Sequence, residues 1–154
     1  MAVAVFKQPT IVGTAVAQKE RKGTRLHVDF EKLPPGPHGF HIHTAGDLRG
    51  EGCAGACSHW HRGPAKDHGG PPGHRERHTG DLGNIYGPTW KKSYFLEDVS
   101  PSDLWGRTLI VHEDEDDLGR GGHEDSKTTG HSGARIGCAI FGRAAACRQT
   151  RRNK

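Results

Sequence analysis

The chain is poor in the features that build membrane proteins and helical bundles. Hydrophobic residues make up 32% of its 154 residues, aromatic residues 6%, and the mean hydropathy is -0.76. No run approaches the roughly 18 apolar residues a membrane-crossing helix needs, so no membrane partner is expected. No stretch has convincing helical periodicity, and no internal repeat is found. The 23 glycines and 9 prolines follow no G-X-Y period, which excludes collagen, and their share lies below the level that signals disorder. A CxxC pair is missing, which disfavours a zinc-finger type of structural site. Lys7 interrupts the apolar start without a basic leader or a cleavage pattern, so no signal peptide is read and a cytoplasmic location is expected.

The length suits one domain. The net charge of +4 first suggests a nucleic-acid partner, but its placement says otherwise. From Arg143 onward there are five bases (Arg143, Arg148, Arg151, Arg152 and Lys154) and no acids; taking them from 22 bases leaves 17 against 18 acids. The basic character therefore belongs to the end of the chain. We expect a domain over residues 1–145 and a basic tail over 146–154, solvated or touching an anionic surface, with nucleic-acid contact only through that tail.

What the chain does have is short strand-like runs. Residues 2–7 and 11–18 read as a hairpin around Gln8-Pro9-Thr10. In 25–31, Leu26, Val28 and Phe30 alternate with His27, Asp29 and Glu31, the period-two pattern of a half-buried strand. Residues 38–43, 81–86, 93–98, 108–112 and 136–141 complete about eight strands, interrupted by two long polar loops at 44–81 and 113–133. Many short strands, no helix and two long loops imply an all-β antiparallel sandwich or barrel. A loop as long as the first needs function or cross-links to hold it, and it contains two cysteines and five histidines.

Twelve histidines, not gathered in a tag-like run, are the main chemical signal. His41 and His43 stand two apart on a strand, so both project from one face and can share a metal; alone, the pattern also fits two solvated histidines. His112 ends another strand. The first loop adds His59, His61, His68, His74 and His78, with Asp81 three residues after His78. Imidazole suits zinc and copper, and a carboxylate is a normal further zinc ligand. The donors exceed the four of one tetrahedral site, so two metals are plausible.

At Gly39-Phe40-His41-Ile42-His43, Gly52-Cys53, His59, 66–71, and Arg77-His78-Thr79-Gly80-Asp81-Leu82-Gly83-Asn84 the chain resembles the copper/zinc superoxide dismutase family. The likeness continues through 106–113, 116–122 and 133–138, and extends from about residue 2 to residue 145. It implies an eight-stranded antiparallel Greek-key sandwich of immunoglobulin-like type, an architecture already known for that family. It implies copper on His41, His43, His59 and His112, and zinc on His59, His68, His78 and Asp81, with His59 bridging the two metals. Asp116 resembles the aspartate that ties a copper histidine, here His41, to a zinc histidine, here His68. Arg135 resembles the arginine beside copper that attracts superoxide. Glu124 and Lys127 resemble the loop that steers the anion, although the family's spacing also allows Thr128 in place of Lys127. Cys53 and Cys138 match the family's disulfide, an exception to the reduced state of most cytosolic cysteines. Cys57 and Cys147 are extra: free thiols, a second bridge, or a metal trap.

The implied activity is dismutation of superoxide to dioxygen and hydrogen peroxide by Cu(II)/Cu(I) cycling, with Arg135 and His59 as catalytic residues and a copper-delivery protein as a partner. The rival is a non-catalytic copper-binding or copper-delivery protein on the same fold. It is disfavoured because all ligand types are present and there is no room for a second metal-binding domain. Two departures stand out. The first loop has single insertions before Cys53, between His59 and His68 and between His68 and His78, which suggests a looser zinc site, and the segment 81–106 is shorter than usual. The family's apolar dimer surface is met here by Ala45 and Arg143, with Trp105 as a new anchor, which leaves a monomer and an altered homodimer both open. His61, His74, His123 and His131 receive no role.

Overall fold

The alternation in the third strand is what the protein uses to build its core. The computed structural model describes residues 1–145; the basic tail 146–154, with Cys147, lies outside the described residues. Strands β1 (Ala2–Lys7) and β2 (Val12–Glu20) form the expected hairpin, and β3 (Gly23–Lys32) follows. Leu26, Val28 and Phe30 of β3 are buried, while His27, Asp29 and Glu31 are exposed. The remaining strands are β4 (Gly36–His43), β5 (Asp81–Gly87), β6 (Trp90–Glu97), β7 (Thr108–His112), β8 (Arg135–Ile140) and β9 (Gly142–Arg143).

Every pairing is antiparallel, in a five-stranded sheet of order β6-β3-β2-β1-β9 and a four-stranded sheet of order β5-β4-β7-β8. The sheets face each other across Phe6, Phe30, Phe40 and Phe141, all fully buried, with the Phe6 and Phe30 rings 5.1 Å apart and Phe30 edge-on to Phe40 at 5.7 Å. Each such side chain contributes about 1.5–3 kcal/mol by leaving water. Among the described residues nine strands replace the expected eight, because the last run divides. Residues to Ile140 pair with β7, and after Phe141 the chain crosses to the other sheet, where Gly142 and Arg143 pair with Val3 and Ala2.

The reading of no helix needs a small correction. Two single turns, α1 (Pro101–Leu104) and α2 (Ser126–Thr129), and a short 3-10 turn at Ala54–Ala56 punctuate the loops. α1 is written in the sequence: Ser100 caps it, Pro101 takes the first helical position, and the Asp103 carboxylate accepts the Ser100 backbone N–H at 2.7 Å.

β4 positions the functional site. His38 to His43 are buried on both faces, because Phe40 and Ile42 enter the core while the long loops cover His41 and His43. Trp60, buried in the core, anchors the first loop, and its N–H donates to the Ile42 carbonyl at 2.8 Å. The disulfide Cys53–Cys138 ties the same loop to β8.

Candidate metal centre

Alternation along β4 puts His41 and His43 on one face, and β7 delivers His112 beside them. The ladders shift register between Gly39 and His41 and between Val111 and His112, so both strands bulge where they present a ligand-type side chain. A lone bridge between His43 and His59 brings in the first loop. One ring nitrogen from each of His41, His43, His59 and His112 lies within 4.8 Å of the others, and all four residues are buried.

The hydrogen bonds decide which nitrogens are free. Nδ1 of His43 donates to the Cys57 carbonyl at 2.7 Å, and Nδ1 of His112 faces the Gly133 carbonyl at 3.2 Å. Their Nε2 atoms therefore bring lone pairs together, 3.3 Å apart. Burial holds the two rings neutral, pulling His43 down to about 2 and His112 to about 3, with His59 and the nearby Arg135 charge adding to the effect. Burial, then His59 and His112, also pushes His41 well below its ordinary value. Neutral imidazoles whose lone pairs converge suit a cation.

A second group forms around Asp81. His59 Nδ1 approaches Asp81 Oδ1 at 2.8 Å and His68 Nδ1 approaches it at 2.9 Å. One ligand-type atom from each of His41, His59, His68 and Asp81 lies within 4.8 Å of the others. His41 has only one free nitrogen, because its Nε2 bonds Asp116 Oδ2 at 2.7 Å. His78 stands at the edge: its Nδ1 is 3.4 Å from Asp81 Oδ2, its Nε2 donates to the Lys66 carbonyl at 2.6 Å, and 13% of its side chain is exposed. Burial opposes charge on Asp81, but the ring nitrogens of His59, His68 and His78 turned towards it outweigh burial and hold the carboxyl far below the usual range. Burial opposes charge on His68 too, and the carboxylates of Asp116 and Asp81 raise it to about 9.

Buried nitrogens without a hydrogen bond supply the test of fit. His41 Nδ1 and His59 Nε2 face no protein partner at all, and His68 Nδ1 and His78 Nδ1 face the Asp81 carboxylate without hydrogen-bond geometry. Orphaned buried polar atoms are costly, and these four belong to the two groups that nitrogen-binding divalent metals would satisfy. The residues fit copper and zinc.

Asp116 joins the two groups, bonding His41 through Oδ2 and His68 Nε2 through Oδ1 at 2.7 Å. Asn84, to which the sequence assigned no role, clamps it: Asn84 Nδ2 donates to the Asp116 carbonyl at 2.9 Å and the Asp116 N–H donates to Asn84 Oδ1 at 2.7 Å. Gly130 is required at this point, because it adopts φ +70° and an added Cβ would strike Asp116 Oδ1 and His68 Nε2.

Arg135 begins β8 opposite His112. Its Nη1 donates to the Cys53 carbonyl at 2.9 Å and its Nη2 to the Cys57 carbonyl at 2.6 Å, so the disulfide-tethered loop fixes the guanidinium. Lys127 is exposed, 3.9 Å from Asp67, and its carbonyl accepts the His68 N–H at 2.8 Å. Lys127 and Thr128 both line a cleft of about 340 Å³ that opens on His59 and includes Lys66. Glu124 is exposed and is not among the residues lining that cleft. Cys57 is a free, exposed thiol. The Arg143 guanidinium sits over the Trp105 ring at 4.5 Å, so these two residues cover one another.

The model of a known family, described as copper/zinc superoxide dismutase, matches residues 11–141. A Cu-Zn superoxide dismutase from Paramecium bursaria Chlorella virus 1 is 42% identical over 151 residues, covering 93% of this chain and 78% of that protein.

Proposed function

The chain belongs to the copper/zinc superoxide dismutase family, and from that membership we infer how its own residues carry out the work. It is a superoxide dismutase, an oxidoreductase that uses copper and zinc, and the non-catalytic copper-delivery reading is not favoured. We assign copper to His41, His43, His59 and His112, and zinc to His59, His68, His78 and Asp81. The facing Nε2 atoms of His43 and His112 carry the copper assignment. Bound copper supplies the one-electron couple by which two superoxide anions and two protons become dioxygen and hydrogen peroxide.

The protein contributes geometry, field and a proton. Asp116 fixes the tautomers and directions of His41 and His68 by accepting their Nε2 protons. His59 turns Nδ1 to Asp81 and leaves Nε2 free, so Nε2 is the atom that takes up a proton and gives it up during turnover. Burial lowers the His59 pKa, which makes that proton easy to lose. Arg135 holds the incoming anion through a guanidinium already aimed by two carbonyls. Lys66 and Lys127, against the single acid Asp67, leave the cleft beside His59 with an excess of positive charge that extends the steering field. Glu124 shapes that field from the loop's outer side.

The partners and setting complete the proposal. A copper-delivery protein loads the buried site. The stack of Arg143 on Trp105 puts a charge where an apolar dimer surface would lie, which favours a monomer or an altered dimer, and light scattering decides between them. No described helix is long and apolar enough to cross a membrane. We place the enzyme in the cytoplasm, which fractionation of expressing cells tests.

The deciding experiment is superoxide decay by stopped flow on copper- and zinc-loaded protein at two ionic strengths. Fast decay that slows with salt is expected. Loaded protein that removes superoxide no faster than buffer would overturn the enzyme reading in favour of metal storage.

A further inference from the structure

Outside the metal centre, residues 71–74 and Arg77 of the first loop and strand β6 enclose a cleft of about 470 Å³. Its charged lining is unbalanced: Arg77 and Lys92 face one acid, Glu97. Arg77 is largely covered, and its Nη2 donates to the carbonyls of Thr79 at 2.9 Å and Asp81 at 2.8 Å. Its Nε is buried without a partner. Neither cation makes an ion pair with any described carboxylate; the Lys92 ammonium rests over the Tyr94 ring at 5.2 Å. A covered guanidinium with no ion-pair partner, helped only by the more distant Asp81 charge, is costly to keep, and an anion relieves part of the cost.

The main chain adds donors. β6 is an edge strand, paired only with β3, so alternate N–H groups along it have no ladder partner. Pro71, Pro72 and Tyr94 give the same cleft apolar walls, with room for more than a bare ion. A planar, always-charged fork beside a point charge suits a tetrahedral oxyanion better than a halide.

We propose that this cleft binds a small phosphate anion, free or as a monoester, between the Arg77 guanidinium and the Lys92 ammonium. The site is separate from the superoxide path at Arg135 and does not rest on the dismutase reading. Arg77 also holds the Asp81 carbonyl, so the bound anion braces the segment that carries His78 and Asp81.

The test is an amide NMR titration of the fully metallated, reduced protein with inorganic phosphate and with glycerol 3-phosphate, chloride keeping the ionic strength constant. Saturable shifts are expected at 73–77 and 92–95. Lys92→Gln should weaken binding roughly tenfold, the loss of one charge-assisted hydrogen bond. Glu97→Gln should tighten it, and Arg77→Gln should abolish it. If Arg77→Gln fails to fold, the two β6 variants decide alone. Tighter binding of glycerol 3-phosphate identifies a monoester site, and tighter binding of inorganic phosphate a free-phosphate site. No saturable shift, or shifts around Arg135 that Lys92→Gln leaves unchanged, would overturn the proposal.

Discussion

The Cys57 carbonyl accepts Nη2 of Arg135 at 2.6 Å, and the same oxygen accepts Nδ1 of His43 at 2.7 Å. One backbone atom thus aligns the cation proposed to meet the substrate with a ring assigned to copper. Replacing Arg135 by Gln should lower kcat/KM about ten- to a hundredfold and flatten its salt dependence while leaving copper content unchanged, because the anion loses its fixed charge. Stopped-flow assays across ionic strengths, with metal analysis, check this; an unchanged salt slope would remove Arg135 from the steering role.

Cys57 carries that carbonyl at φ 64° and ψ -149°, a region that only glycine occupies without strain. Cys57→Gly should therefore stabilise the protein by about 1 kcal/mol while keeping the carbonyl in place, offset in part by the greater freedom of the unfolded chain. Urea titration measures it. A marked loss of stability would mean that the thiol itself matters.

Asp116→Asn keeps the shape of the link between His41 and His68 but removes its charge. Copper and zinc affinity should both fall about ten- to a hundredfold, since the carboxylate sets the tautomer of one ring in each group. Competition with chelators of known affinity reads both metals. A loss confined to one metal would show that Asp116 serves only that group.

The two zinc-assigned histidines differ in how firmly they are held. His68 is enclosed and bonded to Asp116, whereas His78 is partly exposed at the loop edge. His68→Ala should accordingly cost more zinc affinity than His78→Ala. Equal losses in chelator competition would sink the idea that this loop is loose at its His78 end.

The metal-free protein should be most stable near pH 6.5. His43 and His112, held at about 2 and about 3, stay neutral when folded, so their contribution is complete above 6.5 and is lost as pH falls. His68, held at about 9, contributes fully below 6.5 and loses that contribution as pH rises through 9. Zinc should remove the alkaline limb, because a ligating ring has no proton to lose. Urea midpoints from pH 4 to 9 provide the check; a metal-free midpoint that climbs steadily between 6.5 and 9 would contradict the His68 assignment.

The sequence alone determined the strands and the donor types. Period-two alternation in 25–31 fixed which face of β3 is buried, because side chains on a strand can only alternate. The i, i+2 spacing put His41 and His43 on one face for the same reason. Local order also encodes the cap at Ser100–Asp103. Tertiary structure decided what no spacing states. The chain's crossing at Phe141 into a ninth strand depends on the partner strand β1. That His41 has one free nitrogen depends on Asp116, 75 residues away, and Asp116 in turn depends on Asn84. His78 is less firmly held than His68 because only one of them is enclosed by the second long loop, whose Lys127 carbonyl anchors the His68 N–H. Such contacts join segments distant in sequence through hydrogen bonds whose geometry exists only once both sheets have packed.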